Sequence, residues 1–348
     1  MDIICTPFGK TAAGQPVERY TLTDGSCSAS ILTLGGVLQS LIVPDQNGTP
    51  TDVVLGFDTV EAYEAQDCYI GALLGRCANR IAEGRVTLGG RTFQLPCNDN
   101  GINHLHGGNT GFDRRIWRAS ILPDGLLLSY DSPAGEEGYP GNLHAEVIYR
   151  LADNALTIEY RAQADADTLC SLSNHSYFNL AGHNTGEVGA QCVCIHAEQY
   201  TPISETSVPT GEIASVADTP FDLRQPTPLN AGWDSGFEQI RLGAGYDHNY
   251  ILPGCGLRPV ASASCKESGI ALEVFSDMPG VQLYSGNYLS ASLPLGKGGA
   301  QYGRRHGFCL ETQFWPNAPA LPHFPQPVLR PGVLYQHTTR FQFSLLPA

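Results

Sequence analysis

The feature that most constrains this chain is its punctuation. Gly89-Gly90 separates residues 85–88 from 91–95, Pro123-Asp124-Gly125 separates 117–122 from 126–130, and Asp153-Asn154 separates 144–151 from 155–161. Tight connections of this kind join antiparallel strands. Further strands are expected at residues 191–195, 248–252, 270–276, 280–285, 307–314 and 335–345. Residues 29–43 make another, kinked or bulged at Gly35-Gly36, and residues 59–66 allow a turn or two of helix. Plentiful Gly (39) and Pro (24) beside two Met suit short strands joined by many turns. There is no repeat, linker or composition break. The expected architecture is all-β: one domain over residues 1–348, built as two large packed antiparallel sheets with few short helices.

Composition narrows the partners. A formal net charge of −14 argues against nucleic acid and anionic membrane surfaces, which need a basic face, and disfavours a polyanionic substrate. A neutral small molecule fits best. No apolar run is long enough to span a bilayer, and the N-terminus lacks a basic region followed by an apolar one. The eleven cysteines show no disulfide spacing. They suit a reducing compartment, and the cytoplasm is the expected location. Cys192-x-Cys194 reads as two small buried side chains rather than a metal half-site.

Five islands carry polar residues unusual for strands. The first is Ser173-Asn174-His175-Ser176-Tyr177-Phe178-Asn179. As a strand it would put Ser173, His175 and Tyr177 on one side; His175 is then either a satisfied core histidine or a catalytic imidazole. In Gly75-Arg76-Cys77-Ala78-Asn79-Arg80-Ile81, an arginine serves as a structural ion pair or as a charged donor to substrate hydroxyls. Asn103-His104-Leu105-His106-Gly107-Gly108 places two imidazoles on one strand face. No third ligand follows at a recognisable interval, so no metal is expected, and the paired glycines suit close approach of backbone to a ligand. Tyr246-Asp247-His248-Asn249-Tyr250 frames a carboxylate with aromatics; Asp247 is a turn residue or a ligand. In Phe308-Cys309-Leu310-Glu311-Thr312-Gln313-Phe314, Glu311 lies inside an apolar segment, where burial would raise its pKa toward that of a general base.

These islands, in this order, resemble the galactose mutarotase (aldose 1-epimerase) family. The likeness extends through Glu137-Gly138-Tyr139-Pro140-Gly141, Pro279-Gly280-Val281-Gln282-Leu283-Tyr284-Ser285-Gly286-Asn287 and Gly296-Lys297-Gly298-Gly299, and covers nearly the whole chain. It implies a large mutarotase-like β-sandwich (a supersandwich) with an open sugar cleft. The implied activity is cofactor-free interconversion of α and β anomers of free aldoses such as galactose and glucose. By the same resemblance Glu311 is the general base and His175 the general acid, while Asn79, Arg80, His106, Asp247 and Gln282 bind the sugar. Tyr177 is expected to cover an apolar sugar face, and the protein to be a monomer or weak homodimer.

The chemistry agrees. Mutarotation removes the proton of the anomeric hydroxyl while another reaches the ring oxygen, which a carboxylate and an imidazolium on opposite sides of the hemiacetal provide. His175 is accordingly expected to be held protonated at rest by a nearby carboxylate. Two other readings stand beside this one. A hexose-6-phosphate epimerase would need a cationic pair aimed at phosphate, and a catalytically silent sugar-binding module would need neither Glu311 nor His175.

Overall fold

A computed structural model describes residues 1–347. The largest sheet has nine strands in the order Arg118–Leu122, Gly125–Ser132, Leu143–Ala152, Ala155–Ala164, Tyr335–Leu345, Ile270–Ser276, Arg258–Ser264, Cys192–Ile195 and Thr227–Pro228. Its first four strands are sequential antiparallel neighbours; the first and third connections fall at the Pro123-Asp124-Gly125 and Asp153-Asn154 turns read from the sequence, and the second is a longer loop. The closing strand Tyr335–Leu345 then enters the middle of the sheet and pairs on both edges.

The opposing layer is divided rather than continuous. One five-stranded sheet is an N-terminal meander from Asp2–Lys10 to Pro50–Asp52. The other runs Ala214–Ser215, Gln199–Thr201, Asp247–Ile251, Gly280–Tyr284, Cys309–Gln313. Both feed one core: Leu22, Ala29 and Ile31 from the first and Tyr250, Leu283 and Leu310 from the second pack with Val147, Tyr149, Val274 and Phe341 of the nine-stranded sheet. Burying such aliphatic and aromatic side chains contributes about 1.5–3 kcal/mol each.

The single kinked strand expected over 29–43 is instead two, Cys27–Leu32 and Leu38–Pro44, with Gly35-Gly36 between them, both at positive φ. Gly35 cannot carry a side chain, because a Cβ would stand 2.2 Å from the Asp113 carbonyl oxygen. The anticipated helical stretch is the five-residue helix Val60–Glu64, capped by Thr59. One other short α-helix, Glu238–Leu242, is present among the described residues.

Two other local expectations differ from the structure. Residues 173–179 are not one strand: Ser173–Asn174 pairs with Leu73–Leu74, the chain then turns irregular, and Phe178 makes isolated bridges to Val54 and Phe308. Nor do His104 and His106 share a face. His104 sits between the Pro96 carbonyl and the Tyr139 hydroxyl (2.9 and 2.6 Å), whereas His106 has a φ of 51° and swings the other way.

Candidate active site

The floor of the site is one face of the second five-stranded sheet. Asn249, Gln282 and Glu311 lie in register across three strands, and Asp247, Tyr284 and Cys309 form the neighbouring row. Directly paired residues project from the same face, so a period of two sorts each strand. Along Cys309–Gln313, Leu310 enters the core and the Thr312 hydroxyl meets that of Thr339 in the nine-stranded sheet. Cys309, Glu311 and Gln313 point away. A polar face is thereby held on a rigid, fully buried strand.

A cavity of about 250 Å³ lies over this floor and is lined by Asn79, Arg80, His106, His175, Tyr177, Asp247 and Glu311. Of the residues expected to touch a sugar, Gln282 alone does not line the cavity; its Nε2 donates to Asp247 Oδ1 at 2.7 Å. Arg80 is clamped from both sides. Its Nε donates to Asp99 at 2.8 Å, and its Nη1 lies 3.7 Å from Asp247. Of the two arginines in the 75–81 run, the ion pairs belong to Arg80. Arg76 is wholly structural, donating to the Ser132 hydroxyl and to the Pro140 and Gly141 carbonyls, while Arg80 faces the cavity.

Asn79 and His106 lock each other. Asn79 N–H donates to His106 Nδ1 (3.1 Å), and His106 N–H donates to the Asn79 carbonyl (3.2 Å). With Nδ1 accepting, the neutral ring carries its proton on Nε2, so it offers a donor rather than a lone pair. His106, His175 and Glu311 bring ligand-type atoms within 4.8 Å of one another, yet that tautomer of His106 does not suit a cation. The Gly107-Gly108 pair answers to protein rather than ligand: a Cβ on Gly107 would lie 1.7 Å from the Gly75 carbonyl oxygen.

His175 Nε2 lies 3.7 Å from Glu311 Oε1, too long for a hydrogen bond and short enough for both to face one small ligand. Both side chains are almost completely buried. Glu311 Oε2 has no hydrogen-bond partner among the described residues, a costly condition for a buried polar atom. Burial pushes the Glu311 carboxyl well up, Asp247 adding to the rise and Arg80 opposing it.

Burial also lowers His175 to about 4. The expectation of a resting imidazolium is therefore corrected. With water excluded from the ring, desolvation outweighs the backbone carbonyl of His175 that favours the charged form, and the imidazole of the empty site rests neutral. Burial raises Asp247 as well, against the pull of Arg80 and Gln282.

Aromatic walls complete the cavity. Tyr177 is deep, its hydroxyl donating to the Cys68 carbonyl (2.9 Å) and its ring 5.0 Å from that of His175. Tyr69, Tyr284 and Tyr288 also line it, and sequence reasoning missed all three as contacts. Tyr284 had a signal, its place two residues after Gln282 on the same strand face. Tyr69 and Asp99 had none, since they reach the site only through the folding of long loops.

The fold recurs in known proteins. The family model described as Aldose 1-epimerase matches residues 18–342. A galactose mutarotase from Bos taurus is 45% identical, with 97% of each chain covered. An aldose 1-epimerase from Escherichia coli K12 is 36% identical over 95% of this chain and 96% of its own. Among solved structures, an aldose epimerase homologue from C. elegans superposes with a TM-score of 0.85 at 30% identity, covering 92% of this chain and 96% of that one. A galactose 1-epimerase from Lactobacillus acidophilus gives 0.86 at 27% over the full length of both. Matched by the family model over most of its length and by these relatives at up to 45% identity, the chain belongs to the aldose 1-epimerase family.

Proposed function

We propose that this protein is an isomerase, an aldose 1-epimerase that interconverts the α and β anomers of free aldohexoses such as galactose and glucose. In the proposed cycle Glu311 accepts the proton of the anomeric hydroxyl while His175 delivers one to the ring oxygen. The C1–O5 bond opens to the aldehyde, rotation about C1–C2 exposes the other carbonyl face, and the reverse transfers close the ring. Asp247 and Arg80 take ring hydroxyls as acceptor and donor, with Asn79 beside them. Gln282 acts by holding Asp247, and His106 offers its Nε2–H. The tyrosines cover the apolar edges of the pyranose.

The observation that carries this reading is the unpartnered, buried Oε2 of Glu311. A protein without a hydroxyl to place there would gain stability from an apolar residue instead.

The corrected resting state fits the same cycle. Neutral imidazole with carboxylic acid, and imidazolium with carboxylate, contain the same number of protons and carry the same net charge. Solution pH therefore does not select between them, but a ligand does. Sugar hydroxyls donating to Glu311 favour its carboxylate, and a ring oxygen accepting from Nε2 favours the imidazolium.

A phosphosugar is disfavoured by Arg80, the cationic side chain that lines the cavity, because Asp99 and Asp247 already engage it. The eleven cysteines are all free, which supports a reducing location such as the cytoplasm. Polarimetry of freshly dissolved α-D-galactose and α-D-glucose tests the proposal. Purified protein should speed the approach to the spontaneous equilibrium rotation. Acceleration confined to hexose 6-phosphates, or none, would overturn it.

A further inference from the structure

His175 needs something on its far side. Its Nε2 faces Glu311, and the partner of Nδ1 is the thiol of Cys309, with Sγ at 3.5 Å. Cys309 is fully buried and stands two residues before Glu311 on the same strand face. The proposed acid and the proposed base are thus coupled through one strand. The ring is further fixed by the rings of Tyr177 and His106, at 5.0 and 5.3 Å. The other acceptor within reach of Nδ1 is the carbonyl oxygen of His175 itself, which already accepts from Gly71 N–H at 3.0 Å.

We infer that Cys309 is a positioning residue: its S–H donates to Nδ1 of the neutral imidazole and thereby fixes the tautomer whose N–H, on Nε2, faces the cavity. This rests on the proposed role of His175. Burial first, then the charges of Glu311 and Asp247, push the Cys309 thiol well up, so it keeps its proton and remains a donor.

A thiol is a weak donor and a weak acceptor. The same contact therefore serves both states of the ring. When the imidazole takes up a second proton, the sulfur turns its hydrogen aside and accepts Nδ1–H. A carboxylate or carbonyl in that place would hold a proton on Nδ1 permanently and favour the imidazolium. A sulfur leaves the two states close in energy, as required of a group that gives up and regains a proton in every cycle.

Nitrogen-15 NMR of protein labelled in histidine tests this directly, with the His175 signals identified by their loss in His175→Asn. At neutral pH the empty wild-type protein should show Nδ1 bare and Nε2 protonated. Cys309→Ala should populate the other tautomer, with kcat lower by roughly threefold to tenfold and KM little changed. Cys309→Ser should restore both. A proton on Nδ1 of the wild type, or an unchanged tautomer in Cys309→Ala, would overturn the inference. If the alanine variant does not fold, the wild-type and serine spectra decide alone. The tautomer is read without substrate, so absence of mutarotation would refute the proposed function and leave this result standing.

Discussion

Among single residues, Glu311 and His175 bear the most. Each is expected to supply roughly 10²–10⁴ of rate, so Glu311→Gln and His175→Asn should each lower kcat at least about a hundredfold. Circular dichroism should remain that of the wild type, since both side chains face the cavity rather than the core. Near wild-type turnover in either variant would remove that residue from its role. Glu311 was legible as a carboxylate inside an apolar strand, and Arg80 and Asp247 as charges in apolar or aromatic company. The protonation state of His175 was not legible. It depends on how completely water is excluded from an imidazole and a carboxyl 3.7 Å apart, a property of the packed cavity rather than of neighbours in sequence.

Strands and loops divide the work at the next scale. The strand Cys309–Gln313 could be read from alternation, because core contacts and cavity groups fall on opposite parities. The loop at 103–108 could not. There two adjacent histidines in an H-x-H pattern diverge, and three residues at the cavity (Tyr69, Asn79 and His106) adopt φ between 51° and 64°. Non-glycine residues in that region are strained and persist where surrounding contacts over-determine them. Gly107 is the residue that lets the loop close, with φ +96° and the Gly75 carbonyl against its Cα. Gly107→Ala should destabilise the protein by about 1–3 kcal/mol and raise KM for sugar by displacing His106. Chemical denaturation and initial-rate polarimetry would check the two effects; an unchanged unfolding midpoint would contradict this account of the loop.

For the molecule as a whole, antiparallel all-β architecture followed from turn spacing. The division of one layer into two five-stranded sheets did not, because strand order depends on long returns such as that of Tyr335–Leu345 into the centre of the nine-stranded sheet. Burial on this scale also sets a pH dependence. His104 and His175 are lowered by burial to about 4, and His248 to about 3, from 6.5. A histidine with a depressed folded pKa contributes stability above its unfolded pKa and loses it as pH falls toward the folded value. Glu311, Asp247 and Asp113 are shifted the opposite way and offset part of this, while His106 and His183 are lowered like the other three histidines. The unfolded chain therefore takes up more protons, and stability should fall as pH drops from about 6.5 to about 4. Urea unfolding midpoints across that range would check it, and a midpoint that rises on acidification would contradict it.

The central claim is that one carboxyl and one imidazole flank a single hemiacetal. It is tested most directly by a crystal structure of the slow Glu311→Gln variant with galactose bound. The sugar should lie over the Asp247–Glu311 floor, with O1 within hydrogen-bonding distance of residue 311 and O5 within the same distance of His175 Nε2. A galactose whose C1 points away from that pair, or whose O1 and O5 both contact the same one of the two residues, would contradict it.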